Sequence, residues 1–200
     1  MKEVEIKEES IYGDKKELLE KSSQELSDHI AQIREMMCQS LGMDPVEHYL
    51  TRIKSEESMR EKCIRKGLPV NQHSALELIH DAIGVRIVCA FVDDVFAIRD
   101  HLAESGKYVI LEEKDYIRHA KPNGYRSYHM IIKLPEGFYA EIQLRTISMD
   151  TWAALEHHLK YKKEIGSGTE LIVNELKRCA DELASTDLSM QTIRDMILEQ

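Results

Sequence analysis

The sequence predicts an α/β (α+β) fold: a mixed β-sheet flanked by helices, with further helices at both ends. Three observations lead there. The run Gly84–Phe91 (GVRIVCAF) is β-branched and apolar on both parities, the pattern of a central strand covered on both faces. Residues 125–134 and 138–146 alternate in polarity around Pro135-Glu136-Gly137, a three-residue loop with glycine last that fits a bulged hairpin. The segment order is helices, then β-α-β-β-β-α, then a helical tail, and the hairpin makes part of the sheet antiparallel.

Taken in order, residues 14–41 read as a helix. Asp14 and Glu17 have capping-box spacing, and Leu18, Leu26, Ile30, Ile33 and Met37 follow one face up to Gly42. Asp44-Pro45 is expected to start a short helical turn. Tyr49–Lys54 reads as extended, and a helix follows from Glu56 to Lys66, stopped by Gly67. Ser74–Glu77 has the spacing of a second capping box. After the GVRIVCAF strand, Asp93 or Asp94 is expected to cap a helix to Ser105. Tyr108–Leu111 reads as a strand, and His119–Gly124 as a polar loop. Beyond the hairpin, Ser148 is the expected cap of a helix to Lys162. Gly166-Ser167-Gly168 reads as a hinge, and a last helix over 169–198 has a break expected near Ser185-Thr186-Asp187. The expected organisation is a helical extension over 1–44, a domain over 45–165 and a second helical extension over 166–200.

Composition narrows the function classes. A hydrophobic share of 42% suits a globular chain with a sizeable core. No apolar stretch is long enough for a bilayer, and the N-terminus lacks a secretory apolar core, so a cytoplasmic protein without a membrane partner is expected. The four cysteines, Cys38, Cys63, Cys89 and Cys179, form no CxxC pair, so reduced thiols are expected rather than a zinc site. The net charge of −9 argues against non-specific grip on nucleic acid. A polyanionic substrate then needs a local basic patch.

The sequence supplies one. Arg52 and Lys54 share a face of an extended segment, and Ser58, Lys62 and Arg65 line one side of the next helix. Such a stripe is either a solvated helix face or a phosphate cradle of arginine and lysine donors. No GxxxxGK[ST] loop is present, which excludes a Walker cradle. In the hairpin, one parity places Tyr125, Ser127, His129, Glu141, Gln143 and Arg145 on one sheet face, with His129 opposite Gln143 and Ser127 opposite Arg145. That face is either solvated or a site. Asp81, just before a buried strand, is either a turn residue or a Mg²⁺ ligand, and Gly84 permits close backbone approach. Arg86 is expected to be buried and to need an anionic or stacking partner. On the last core helix, Glu156 shares a face with Met149 and Trp152 and is a candidate to orient Arg145, or else a partly exposed carboxylate. His157 and His158 read as surface residues. His80-Asp81 also matches a metal-phosphohydrolase dyad, with His29 or His48 as upstream ligand, but the dyad runs into a strand rather than lying on a helix.

Five segments together resemble the synthetase domain of the RelA/SpoT family, in its small alarmone synthetase branch. They are R-x-K-x-x-x-S-x-x-x-K at Arg52–Lys62, D-x-x-G-x-R at Asp81–Arg86, K-x-x-G-Y-R-S-Y-H at Lys121–His129, E-I-Q-L-R-T at Glu141–Thr146 and M-x-x-W-A-x-x-E-H at Met149–His157. The resemblance covers about residues 45–165. It implies a nucleotidyltransferase-like fold and pyrophosphate transfer from ATP to the 3′-hydroxyl of GDP or GTP. It implies that Arg52 and Arg86 sandwich the adenine, and that Lys54, Ser58, Lys62 and Arg65 hold the phosphates. Asp81 would bind Mg²⁺, with Glu141 as second ligand or general base. Tyr125 would stack on guanine, and Lys121, His129, Gln143 and Arg145 would line the acceptor site.

The resemblance further implies a homotetramer built by the flanking helices, in some members with an allosteric alarmone cleft; alternatively these helices simply cover the sheet of a monomer. Asp150 departs from an asparagine common in the family. Glu112–Asp115, a stretch tied to acceptor preference, carries mixed charge and assigns none. Two other functions remain open: a same-fold toxin that pyrophosphorylates tRNA 3′ ends, and a silent nucleotide- or RNA-binding protein.

Overall fold

The computed structural model describes residues 10–161 and 169–199; the expected hinge at Gly166-Ser167-Gly168 lies outside them. Helix α1 (Lys16–Leu41) leads to β1 (Val46–Ile53), α2 (Glu56–Arg65), a π-helical turn at Ser74–Leu78 and β2 (Ile83–Cys89). Then come α3 (Val92–Glu104), β3 (Val109–Asp115), β4 (Tyr128–Lys133), β5 (Tyr139–Thr146), α4 (Ile147–Tyr161) and α5 (Thr169–Leu198).

The strands form one mixed sheet in the order β1-β2-β5-β4-β3. Only β2 and β5 pair in parallel; the other pairs are antiparallel. The expected hairpin register is observed, with His129 opposite Gln143. Its loop closes through Gly137 N donating to Leu134 O (2.9 Å) and Leu134 N to Phe138 O (2.8 Å), with Gly137 at φ +94°. β5 rather than β2 takes the middle of the sheet, because β1 folds back on the outer edge of β2.

Alternation along the strands gives the sheet two different faces. Ile83, Val85 and Ile87 of β2, Ala140, Ile142 and Leu144 of β5, and Met130 and Ile132 of β4 are all buried in the main core. Register places them side by side, Val85 beside Ile142 and Met130 across from it. Helices α1 and α3 contribute to the same core, through Leu19, Leu26, Ile30, Ile33 and Met37 of α1 and Val95, Ile98 and Leu102 of α3. The α1 stripe starts at Leu19, not Leu18, which is exposed. The opposite sheet face stays open over β1, β2 and the start of β5.

Helix ends depart from the local signals. Asp14 accepts a hydrogen bond from Gln72 Nε2 (2.8 Å) instead of capping α1, which starts without a side-chain cap. Asp44-Pro45 starts no helix: Asp44 binds Val46 N (3.0 Å) and Arg34, and the chain enters β1. Ser74 sits inside the π-helical turn, with its own N–H on Asn71 Oδ1 (2.9 Å), so it caps nothing. Phe91 is the cap residue of α3, and Asp94 reaches back to Phe91 N (3.1 Å). Thr146, not Ser148, receives the α4 end, through Met149 N (3.2 Å). β4 starts later than expected, at Tyr128, and β3 runs longer, to Asp115. α5 runs through Ser185–Asp187 without a break. All four cysteines are free thiols, and no helix among the described residues is long and apolar enough to cross a membrane.

The pairing of Arg34 with Asp44 pins the end of α1 to the start of β1. The Arg34 hydrogen bond holds the Asp44 carboxyl down at about 2, from an ordinary 3.8. A depressed folded-state pKa stabilises above the unfolded value and loses that contribution as pH falls through the folded one. Asp44→Asn is therefore expected to be less stable than the parent at neutral pH, with the gap closing as pH falls from 3.8 toward about 2 in denaturant titrations. Because Asp44 is partly exposed the gap is modest.

Candidate active site

The open sheet face carries the chemistry. Register aligns Arg52 of β1, Gly84 of β2 and Glu141 of β5 in one row, and Leu50, Arg86 and Gln143 in the next. These residues line a single cleft with Lys54 and Asp81. Gly84 places no side chain between Arg52 and Glu141, so the floor there is bare backbone. A Cβ added to Gly84 would meet Arg52 only at ordinary contact distance, so the protein itself does not demand glycine. Open floor for a ligand is what the residue leaves.

At one end of the cleft Asp81 precedes β2 and faces α2. Its Oδ2 holds Lys62 Nζ at 2.5 Å and Lys54 Nζ at 3.1 Å. Its Oδ1 is buried without a hydrogen-bond partner. A buried carboxylate oxygen normally has one, so the orphan marks a place for a ligand. Asp81 and Glu141 offer hard oxygen donors to the same cleft, which fits Mg²⁺, an ion held by one or two carboxylates plus substrate phosphates. Asp81 takes lysines rather than His80 as partners, and His80 stacks on Tyr139 (4.1 Å between centroids). His29 is hydrogen-bonded to Tyr108 (2.8 Å). No group of three or more His, Cys, Asp or Glu side chains able to hold a metal occurs among the described residues, so the phosphohydrolase reading has no ligand set.

At the other end Arg145 is buried at the top of β5. Its guanidinium donates to Tyr125 Oη (2.7 Å), Gln143 Oε1 (2.8 Å), Ser127 Oγ (3.3 Å) and Asp150 Oδ1 (3.1 Å). Arginine only donates, so Tyr125 Oη accepts from it and can direct its own proton to His129 Nε2, 2.8 Å away. His129 then presents Nδ1–H to Glu141 Oε1 at 3.4 Å, and Gln143 Nε2 reaches Glu141 Oε2 at 3.2 Å. The His129 contact, ahead of the opposing effect of burial, holds the Glu141 carboxyl below its usual range. The ordered relay runs from Arg145 through Tyr125 and His129 to Glu141.

The expected burial of Arg86 needs correction, and of the two readings of Glu156 the partly exposed carboxylate holds. Arg86 is exposed on the cleft, because it shares with Gly84 the face of β2 that lines it; its partner is Asp150 (3.5 Å). Asp150, not Glu156, orients Arg145, since the first turn of α4 brings it back over β5; Glu156 accepts from Asn123 Nδ2 (3.2 Å). Of the α2 stripe only Lys62 joins the Asp81 cluster. Ser58 is exposed and bonded to Ser55 (2.9 Å), and Arg65 is exposed at the far end of α2. Lys121 lies over the rings of Tyr116 (4.5 Å) and Tyr125 (4.8 Å).

Tyr116 is the residue that sequence reasoning missed. It meets Tyr125 and His129 edge-on, yet it falls in a loop where no periodicity marks a face. Glu112 and Lys114 pair with each other (2.8 Å) on the edge strand β3, while Glu113 binds Arg99 and Tyr128. His157 and His158 are exposed, as expected.

Asp150→Ala is expected to destabilise the fold by about 1–3 kcal/mol, because it leaves a buried guanidinium short of an acceptor. Asp150→Asn keeps an oxygen there and is expected to cost less. Equal losses for the two in chemical unfolding would show that Asp150 does not hold Arg145.

Comparison with known proteins identifies the family and the fold. Residues 51–166 match the region found in RelA / SpoT proteins. GTP pyrophosphokinase YwaC of Bacillus subtilis is 43% identical over 147 residues, covering 70% of each chain. The crystal structure of small alarmone synthetase 2 from Bacillus subtilis superposes with a TM-score of 0.77 at 36% identity, over 90% of this chain and 98% of that one. Small alarmone synthetase 1 from the same organism, solved bound to its product pppGpp, gives a TM-score of 0.77 at 31% identity, over 90% and 94%. With its matched region spanning more than half of its length, and on the same fold, this chain belongs to the RelA/SpoT family.

Proposed function

We propose that the protein transfers the β,γ-pyrophosphate of ATP to the 3′-hydroxyl of GDP or GTP, giving ppGpp or pppGpp and AMP. The observation that supports it best is the continuity of one open sheet face. The cations Arg52, Lys54, Lys62 and Arg86 lie to one side of Glu141, and Tyr125, His129, Gln143 and Arg145 to the other. In this reading Arg52 and Arg86 hold the adenine over the bare floor at Gly84. Lys54 and Lys62 take the phosphates. Ser58 and Arg65 reach only a ligand that overhangs α2. Tyr125 stacks on guanine once Lys121 swings off its ring onto the acceptor phosphates, with Gln143 and Arg145 beneath.

The acceptor oxygen attacks the β-phosphorus and gives its proton to Glu141. The bond from the β-phosphorus to the AMP oxygen breaks, and AMP leaves. Glu141 is suited to this role because its contact with His129 keeps it ionised. Charge that develops on the β-phosphoryl oxygens falls to the lysines that hold Asp81. Asp81, with its unpartnered Oδ1, would hold Mg²⁺, with Glu141 as second ligand or general base, and the ion would help neutralise the triphosphate.

We read residues 45–165 as the synthetase unit, with α1 completing its core and α5 its acceptor half. Leu171, Leu188, Ile193, Met196 and Ile197 leave an apolar surface on α5 that supports self-association, a homotetramer in this reading. ATP and guanine nucleotides as substrates agree with a cytoplasmic site of action.

Incubation with ATP and GDP, GTP or tRNA, followed by product identification, tests the proposal. AMP together with ppGpp or pppGpp is expected. Pyrophosphorylated tRNA alone would indicate the toxin activity, and binding without turnover in the presence of Mg²⁺ a silent relative. Glu141→Gln is expected to slow transfer by about 10²–10⁴-fold with an unchanged melting curve; full turnover in that variant removes Glu141 as the base. Tyr125→Ala is expected to raise the KM for GDP or GTP roughly 10- to 100-fold, the worth of one stacked base, with a much smaller effect on the KM for ATP.

A further inference from the structure

We propose that Asp187, in the second half of α5, is a positioning residue for the acceptor half of the site, acting through Thr146. The inference rests on the transfer reaction proposed above. Among the described residues of α5 only Ala180 and Asp187 are buried. Helix α5 is otherwise exposed or half-buried, and a carboxylate is an expensive group to bury unless it is bonded. Its Oδ2 accepts from Thr146 Oγ1 at 2.5 Å, and Thr146 is wholly buried. A hydroxyl has one proton to give. With that proton committed to Asp187, the Thr146 oxygen is left as the acceptor for Met149 N (3.2 Å) and so fixes the first turn of α4.

Both neighbours of this bond belong to the acceptor half. Arg145 precedes Thr146 in β5. Asp150, one turn into α4, is the carboxylate that binds Arg145 and Arg86. The direction of the Thr146 hydroxyl therefore sets where α4 starts, and the start of α4 sets where Asp150 meets Arg145.

Three further contacts show that α5 seats on the acceptor half as a body. Gly124, next to Tyr125, has φ +91°, and a Cβ there would stand 2.6 Å from Ala180 Cβ and 3.0 Å from Lys177 Cα, so the loop backbone lies directly on α5. Arg126 on the other side of Tyr125 pairs with Asp181 (3.0 Å). Trp152, edge-on to Tyr125, donates its indole N–H to Leu176 O (2.9 Å). Asp187 is the buried polar member of this set, and the one that reaches the strand carrying Arg145.

The test compares Asp187→Ala, Asp187→Asn and Thr146→Val with the parent in full steady-state kinetics and thermal unfolding. Leu102→Ala, in the α3 core, serves as a control destabilised elsewhere. Asp187→Ala and Thr146→Val are expected to raise the KM for GDP or GTP roughly 10-fold, with a clearly smaller rise in the KM for ATP, transmitted by the Asp150 contact with Arg86. Asp187→Asn keeps an oxygen acceptor and is expected to recover most of the loss, while Leu102→Ala lowers the melting temperature without this split. If Asp187→Ala does not fold, Asp187→Asn and Thr146→Val carry the comparison. Parent-like acceptor KM in folded Asp187→Ala or Thr146→Val, equal increases in both KM values, or the same split in Leu102→Ala would overturn the positioning role while leaving the transfer reaction intact. A parent protein that makes no 3′-pyrophosphorylated nucleotide would instead overturn the reaction, and the positioning role with it.

Discussion

The parallel pairing of β2 with β5 is the constraint from which the rest of this molecule follows. It sets Gly84 beside Glu141 and Arg86 beside Gln143. Because side chains alternate along both strands, the same register buries Val85 against Ile142 on the other face. A slip of one residue would put Glu141 and Gln143 into the core and expose Ile142 and Leu144. Burial of the apolar set thus enforces the geometry of the polar set, and no separate device is needed to keep the Glu141 carboxylate at the cleft.

The second organising feature is electrostatic. The chain is acidic overall, at −9, yet its cleft gathers arginines and lysines. Two aspartates hold those cations in place. Asp81 gathers Lys54 and Lys62, and Asp150 ties Arg86 to Arg145. Each aspartate prevents like charges from splaying apart in the free protein. Asp81 acts at the lysine end of the cleft, and Asp150 joins Arg86 on β2 to Arg145 on β5. The relay from Arg145 to Glu141 adds direction, since an arginine that can only donate orients each hydrogen bond after it.

The helices are less peripheral than their place at the chain ends implies. The apolar stripe of α1 is part of the main core, and α5 touches the loop before Tyr125, the end of β5 and the face of α4. Gly124 shows how closely: its backbone conformation and its lack of a Cβ are both needed where the loop crosses α5.

How much of this could be read from the residues alone depended on the range of the interaction. Period-two alternation in 125–146 and the Pro135-Glu136-Gly137 loop determined the hairpin, its register and the shared face of His129, Glu141, Gln143 and Arg145. Those are local facts of backbone geometry. The five motif segments determined the family for the same reason: each is a short run whose spacing survives without knowledge of the fold. Tertiary structure alone decided the rest. Which polar group caps a helix was settled by competition: Gln72 took Asp14, Arg34 and Val46 took Asp44, and Asn71 took Ser74. The partner of Arg145 was settled by how α4 turns back over β5, which placed Asp150 there instead of Glu156. Tyr116 meets Tyr125 from a loop, and Asp187 meets Thr146 from a helix 41 residues further on. Periodicity reports only which side of its own element a residue occupies. Where two elements meet is fixed by the packing of the whole chain.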